Sequence, residues 1–465
     1  MVVSAAIRME GRGVLWSPSG PASARRSAAG HGEDDPDAIE RLAAVSRTTQ
    51  GPGEVRRDGA APLAWRVGFG TTLALAMGTA PVALFAVAAL APLVTEDLGV
   101  SRTQLGLIST IAFVFAALGS TAAGKVIERL GGRRTLVVLF CAAALAIVVM
   151  AGSGSYAWLL LAVAVSGLGQ SLSNPVTNHL VAREVGPGRR GLYMGFKQSG
   201  VQLCQFLVGV SLPAAAVMFG WRTATAATIL LAGAGLALVL VTVPREPGRP
   251  HIDEVALSPL VAVPGRVKAL AVFAMLMGAS YQATNAYVPL YAFEALEVSA
   301  AAAGATTAVF GAVGCAARIL WGRSGERTDH LGGVLAGVAV GAATATAVLG
   351  LATPDATGLL WAGAVLHAMT SPASTVVVML ALLRVAPVAQ VGRSSGLVAL
   401  GMYSGFASGP LLFGATVDRY GSYGLGWTLI VVLYLMAAWV GLLAFRAGPT
   451  TQARGGSTAA AAVEA

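Results

Sequence analysis

The sequence predicts an all-α membrane protein with twelve transmembrane helices arranged as two pseudo-symmetric six-helix bundles. Three observations carry this. Only 11% of the 465 residues are charged and 55% are hydrophobic, whereas a soluble domain is about a quarter charged. The apolar residues come in uninterrupted blocks long enough to cross a bilayer. Six blocks on either side of a polar linker share a repeated pattern of glycines and charges. The low charge excludes an ordinary soluble fold. Cys141, Cys204 and Cys315 are far apart and lie within apolar blocks, so neither a disulfide framework nor a metal site is indicated. The net charge of +9 does not mark a nucleic-acid binder, because the basic residues cap the ends of blocks instead of forming one patch. Only three of the 31 basic residues are lysines, and the richness in Ala, Gly and Arg suggests GC-rich bacterial coding and hence a bacterial plasma membrane.

In chain order, residues 1–66 are polar and rich in Gly, Pro, Ser, Arg and acids. They read as a disordered N-terminal tail on the cytoplasmic side. The first bundle, 67–244, holds spans at about 68–95, 102–123, 135–154, 156–181, 191–218 and 223–243. A proline-rich linker, 245–266, follows. The second bundle, 267–446, holds spans at about 267–293, 303–321, 332–351, 358–383, 394–416 and 425–445, and 447–465 forms a second disordered tail. The loops after even-numbered spans carry fifteen basic residues, counting Lys268 at the start of span 7. Those after odd-numbered spans carry three: Arg102, Arg222 and Arg419. The positive-inside rule therefore puts the linker and both termini in the cytoplasm. Trp158, Trp221, Trp321, Trp361 and Trp427 fall near span ends and read as interfacial anchors.

The halves repeat one another. Leu98-Gly-Val100-Ser101 returns as Leu296-Glu-Val298-Ser299, Gly106 as Gly304, and Gly124-x-x-x-Glu128-Arg129 as Gly322-x-x-x-Glu326-Arg327, all at an offset of 198. Gly191, Ser199-Gly200 and Gly209 return as Gly396, Ser404-Gly405 and Gly414 at an offset of 205, and Gly220-Trp221 as Gly426-Trp427. Such duplication suits a transporter that rocks one bundle against the other.

The stretch Gly124-Lys-Val-Ile-Glu128-Arg129-Leu-Gly131-Gly132-Arg133-Arg134 resembles the signature between spans 2 and 3 of the major facilitator superfamily, and Gly322 to Arg327 resembles its second copy. Glu replaces the usual Asp in both. The resemblance implies a conformational latch made by Gly124, Glu128, Arg129, Arg133, Gly322, Glu326 and Arg327, with the carboxylate at a helix end of the opposite half, where unpaired N–H groups stabilise an anion. A further run, Ser173-Asn-Pro175-Val-Thr-Asn178 with Gly195-Phe-Lys197-Gln198-Ser-Gly200 and Gly220-Trp221-Arg222, resembles bacterial cyanate and organic-anion permeases.

Polar side chains within the spans are costly unless they meet a partner or a wet cavity. In span 4, Ser166, Gln170, Ser173, Asn174, Thr177 and Asn178 share one helical face. Span 10 places His367 with Thr370, Ser371, Ser374 and Thr375. Span 5 offers Gln198, Gln202 and Gln205 beside Lys197. Span 7 offers Tyr281, Gln282 and Asn285 ahead of Pro289, and span 8 carries Arg318. The Ser and Thr residues read as interhelical glue. The candidate substrate contacts are Gln170, Asn174, Asn178, Lys197, Gln198, Gln202, Tyr281, Gln282, Asn285, Arg318, His367 and Tyr403. All thirteen acids between residues 67 and 446 fall in loops or at span ends, which leaves His367 as the candidate proton relay.

The resulting expectation is a monomeric secondary transporter, free of metal and cofactor, that moves a small polar or anionic metabolite across the plasma membrane by alternating access. Its partners would be that substrate, a proton as candidate coupling ion, and the bilayer. The second reading is an efflux antiporter for a drug or secondary metabolite, to which Tyr281, Tyr287 and Tyr403 point. A membrane enzyme would need a nucleophile, metal set or paired carboxylates within the spans, and none is present.

Overall fold

The computed structural model describes residues 62–186, 189–245, 264–326, 330–386 and 391–445. These residues are helical almost throughout, with no strand among them. Among them, nine helices are long and apolar enough to cross a membrane, and the bent pair Leu63–Thr79 and Val82–Ala89 makes a tenth span. The 50-residue helix Arg102–Ala151 is two spans joined end to end: Gly131 breaks it with φ 75° and ψ 165°, a conformation that glycine adopts without steric cost. Gly265–Glu294 has the length to cross, but Tyr281, Gln282 and Asn285 dilute its hydropathy. The total is twelve, six on each side of the linker. Residues 1–61, 246–263 and 446–465, which hold most of the expected tails and linker, lie outside the described residues.

Proline explains two departures from the simple block reading. Span 1 bends by 54° at the break before Val82 and breaks again at Leu90. Pro81 and Pro92 stand at these junctions, where the missing N–H cannot continue a helix. Span 10 is Gly358–Thr370 and Ser374–Val385 separated by a 3-10 turn at Ser371–Ala373, centred on Pro372. Pro175 in span 4, Pro213 in span 5, Pro289 in span 7 and Pro410 in span 11 sit inside helices that continue through them.

The repeat is visible in backbone conformation. Gly99 and Glu297, equivalent at the offset of 198, are both left-handed, with φ 61° and 55°, and the serines after them both cap the next helix. Ser101 accepts from Gln104 N at 3.2 Å, and Ser299 accepts from Ala302 N at 3.4 Å. The offset of 205 is corrected. Spans 5 and 11 are Arg190–Phe219 and Val391–Tyr420, and both are followed by a positive-φ glycine, Gly220 and Gly421. Their ends and turn glycines therefore match at 201. The sequence matches lie one helical turn away, where a four-residue slip keeps the same face. Gly426-Trp427 is thus not the counterpart of Gly220-Trp221.

Trp158 is exposed, whereas the interfacial-anchor reading fails for Trp221 and Trp427, which are 5% and 2% exposed. Trp221 donates to Asp97 at 3.2 Å. Trp427 packs on Phe413 and Tyr291 with centroids 4.7 and 5.3 Å away. Both serve as core residues.

Two seams join the halves, span 2 against span 11 and span 5 against span 8, and glycine lets backbones touch in both. A Cβ on Gly106 would collide with the Pro410 carbonyl and one on Gly414 with the Arg102 carbonyl. One on Gly209 would collide with Ala308 N and one on Gly311 with Phe206 N. The expected glue role of Ser and Thr holds for Ser166, which donates to the Ala80 carbonyl of span 1 at 2.6 Å, and for Ser371, hydrogen-bonded to Tyr434 of span 12 at 2.8 Å, and these glycines add close backbone contact.

Candidate functional site

Midway along the span 5–span 8 seam, amide, phenol and guanidinium groups from three helices converge. Gln205 donates to Asn285 Oδ1 at 2.7 Å, and Asn285 Nδ2 donates to the Tyr281 carbonyl at 3.0 Å. Gln202 is fully buried and donates to the Phe310 carbonyl at 3.4 Å. The Tyr281 phenol lies beside the Gln202 and Asn285 amides and within electrostatic reach of Arg318. Arg318 donates through one terminal nitrogen to the Gln198 carbonyl at 3.4 Å, while its buried Nε has no partner. Gln202 Oε1 and Gln205 Oε1 are likewise buried and unpartnered. The side chain of Glu326, the acid nearest in sequence to Arg318, lies outside the described residues. Buried polar atoms normally find partners, so this constellation is suited to receive a hydrogen-bonding guest.

An aromatic wall adjoins it. Tyr281 stacks on His367 with ring centroids 6.1 Å apart and planes 6° from parallel. Phe406 lies 6.1 Å from Tyr281 and 4.8 Å from Phe113, and Tyr403 lies 6.2 Å from Phe113. Phe113 comes from span 2, so the wall crosses the boundary between the halves. His367 is fully buried among Tyr281, Phe310 and Tyr434, and neither ring nitrogen has a hydrogen-bond partner. Tyr287 belongs elsewhere, at the far end of the span 2–span 11 seam, where its hydroxyl donates to the Arg102 carbonyl.

Lys197 forms a second constellation inside the first half. It is fully buried, and its ammonium donates to Thr177 Oγ1 at 2.9 Å, Asn174 Oδ1 at 3.4 Å and Asn178 Oδ1. The span 4 face is thus its partner. Gln170 and Gln282 are half-buried and Gln198 exposed. The expected contacts therefore divide into two groups: Gln202, Tyr281, Asn285 and Arg318, with His367 and Tyr403 in the adjoining wall, and Lys197 with Asn174 and Asn178.

The ends of the molecule differ. On the side away from the linker, Arg102 of span 2 pairs with Glu294 of span 7 at 2.7 Å and with Asp418 of span 11 at 3.7 Å. Asp418 also accepts from Thr103 N at 2.7 Å and Thr103 Oγ1 at 2.6 Å, and so caps span 2 with an anion. Tyr423 donates to Glu294 at 2.6 Å. On the linker side, Glu128 and Arg129 are exposed, and Arg133 turns to its own half, donating to the Leu240 carbonyl at 3.0 Å. A Cβ on Gly124 would meet open space. Arg327 lies outside the described residues, as do the side chain of Glu326 and the surroundings of Gly322. The ion pairs that Arg102 makes with Glu294 and Asp418 join the halves on the far side. Sequence reading missed this network because its partners are 192 and 315 residues apart. It missed Phe113, Phe310, Phe406 and Tyr434 because an aromatic in an apolar block carries no signal of where it points.

The family model described as Major Facilitator Superfamily matches residues 72–379 and 270–463. The chain is 29% identical over 358 residues to the probable nitrate/nitrite transporter NarK2 of Mycobacterium tuberculosis, covering 74% of this chain and 87% of that protein. It is 33% identical over 114 residues to a probable 4-methylmuconolactone transporter of Cupriavidus pinatubonensis, covering 24% and 27% respectively. Among solved structures, it resembles a point mutant of the nucleoside transporter NupG with a TM-score of 0.67 at 13% identity, covering 82% of this chain and all of that one. A bacterial homologue of the human lysosomal transporter Spinster, inward-facing and occupied, gives 0.64 at 15% identity, covering 83% and 98%. The chain is a multi-pass membrane protein with the twelve-helix, two-bundle fold, and it belongs to the major facilitator superfamily of transporters.

Proposed function

We propose that this secondary transporter moves a small inorganic anion of the nitrate or nitrite class by alternating access, with no chemistry on the substrate. The observation that carries the proposal is Arg318: a cation at the seam between the halves, with donors unspent, among neutral amides and a phenol. A guanidinium presents five donors in a planar fork suited to an oxyanion. Among the described residues the site holds one fixed positive charge and no carboxylate, which favours an anion over a cation or zwitterion. The probable function of the mycobacterial relative supports the same substrate class. Closure on the far side supports a state in which the substrate site communicates with the linker side. By the distribution of basic loops that side is the cytoplasm, holding both termini of a bacterial plasma-membrane protein. Both bundles lie in one chain, so a monomer suffices. Gln202, Tyr281 and Asn285 orient the anion, and relative motion of the halves exposes it to either side.

The aromatic wall supports a second reading, a ring-bearing organic solute, exported or imported. Flux into proteoliposomes separates the two. Arg318→Gln should reduce nitrate and nitrite uptake by about 100-fold, as expected when a buried charge partner is lost, and Arg318→Lys by less. Unchanged anion flux in Arg318→Gln would refute the assignment. Flux of a neutral aromatic solute with none of nitrate or nitrite would favour the second reading.

A further inference from the structure

Lys197 is a charge inside the membrane that the anion site does not use. An ammonium has three donors, and its three neighbours, Asn174, Thr177 and Asn178, supply three neutral oxygens. It has no donor to spare for a substrate, unlike Arg318. Intramembrane ionisable groups mark ion or proton pathways when no structural pairing explains them, and here no carboxylate pairs with the lysine. We propose that Lys197, held by Asn174, Thr177 and Asn178, is the proton-binding site of this transporter. The proposal rests on the transporter reading given above and adds its coupling ion.

The cage has the chemistry that reversible protonation requires. A carboxylate partner would hold the ammonium charged, whereas an amide is ambident: its oxygen accepts from an ammonium and, turned over, its NH2 donates to the lone pair of a neutral amine. Asn174 and Asn178 can therefore satisfy both protonation states. Thr177 serves only the charged state, because its own hydrogen goes to the Ser173 carbonyl at 2.6 Å. The charged groups on neighbouring helices do not substitute for a carboxylate. Span 1 brings Arg66, span 4 brings His179, Arg183 and Glu184, and span 8 brings Cys315 and Arg318; Tyr193 and Cys204 lie on span 5 itself. None of these exerts a resolved electrostatic effect on Lys197. Asn178 is exposed, and a Cβ on Gly191 or Gly195 meets open space on the same side. The wall of the cage is thus open at Asn178. The other buried base, His367, is enclosed by three aromatic rings and has no hydrogen-bonding neighbour to pass a proton on.

The step balances simply. A hydronium ion on one side gives its proton to the Lys197 amine and leaves as water, and after the halves rock the ammonium returns the proton to water on the other side. The carbonyl that Arg318 holds belongs to Gln198, the residue next to Lys197. One proton on Lys197 moving with one monovalent anion at Arg318 carries no net charge.

Nitrate uptake into proteoliposomes, with and without an inward proton gradient of about one pH unit, tests this. Electroneutral symport predicts about tenfold accumulation under the gradient, since one pH unit is worth a factor of ten in an equilibrium. That ratio should fall to about one in Lys197→Gln, in Lys197→Arg, which cannot release its proton, and in Asn178→Asp, which fixes the charge. A substrate-free measurement separates this proposal from the anion reading. A pH jump on protein adsorbed to a solid-supported membrane should produce a transient charge movement in the native protein that both Lys197 variants lack. If the transient depends on Lys197 while no nitrate or nitrite moves, the proton site stands and the anion assignment falls. A wild-type ratio in the Lys197 variants, or nitrate transport with no response to the gradient, overturns the proposal. Should Lys197→Gln fail to fold, Asn178→Asp and Lys197→Arg decide it.

Discussion

The seam between spans 2 and 11 and the seam between spans 5 and 8 have the same packing and different chemistry. In both, glycines bring one backbone against another: Gly106 and Gly414 in the first, Gly209 and Gly311 in the second. The first is then furnished with rings at its middle, Phe113, Tyr403 and Phe406, and with the Arg102–Asp418 contact at its far end. The second is furnished with Gln202, Gln205 and Arg318. Where duplicated halves must rock against each other, the mechanical part of the interface stays alike, and the parts that differ are where substrate recognition can reside.

The likeness is the first thing to break. Gly106→Leu and Gly209→Leu should each abolish transport, because the obstacle is backbone and cannot turn away, and overpacking of this kind costs about 1–3 kcal/mol or more. Flux together with thermal melting in detergent checks this, and tolerance at one position only would show that the seams are not mechanically equivalent. The difference comes next. Gln205→Ala leaves Asn285 without its buried partner at a cost of about 1–3 kcal/mol, so anion affinity should fall roughly tenfold. Phe406→Leu, in the other seam, should change it by less than about threefold. Equal losses would erase the division of labour.

Removing the far-side closure should have a smaller effect. Arg102 and its acids are partly exposed, and such pairs are worth about 1 kcal/mol or less each. Arg102→Gln should therefore shift the population toward separation on the far side without unfolding. Spin labels at Glu96 and Tyr420 should report a new, longer distance, and an unchanged distribution would exclude a gating role. The smallest effect is expected at Asp97, whose ion pair with Arg222 at 2.8 Å lies within one half. The hydrogen bond from Arg222 holds the Asp97 carboxyl below its ordinary range, against the opposing effect of burial and with a lesser contribution from Trp221. Its contribution is complete above that range and fades as pH falls through the lowered value. Asp97→Asn should cost less than about 1 kcal/mol and leave the distance between the halves unaltered, which a melt at neutral and acid pH, with the same spin labels, can verify.

The fold was legible because membrane solvation writes it directly into composition: twelve apolar blocks, a polar linker, and loops with unequal basic content. Gly131 and the Gly-x-x-x-Glu-Arg spacing marked the turn between spans 2 and 3 because few residues tolerate that backbone. The site was legible only in part. Helical spacing placed Asn174, Thr177 and Asn178 on one face, and Lys197 is found against that face. Which helices face each other is a property of the packed halves, however, so Lys197 and Arg318 could be read as neighbours of one pathway although their hydrogen bonds are separate. The offset of 205 misled for a related reason. A helix presents the same face every turn, so matches in small residues slip by four without any change of pattern.

The first helices of the two bundles carry a last consequence. Span 1 is jointed at Pro81 and Leu90, whereas span 7 runs unbroken from Gly265 to Glu294. A continuous rod transmits a displacement at one end to the other, and a jointed one absorbs it. On the function proposed above, a displacement beside Tyr281 would pass along span 7 to Glu294 and its grip on Arg102, whereas the matching stroke in span 1 would be taken up at its joints, so the second bundle would act as the lever and the first as the compliant fulcrum.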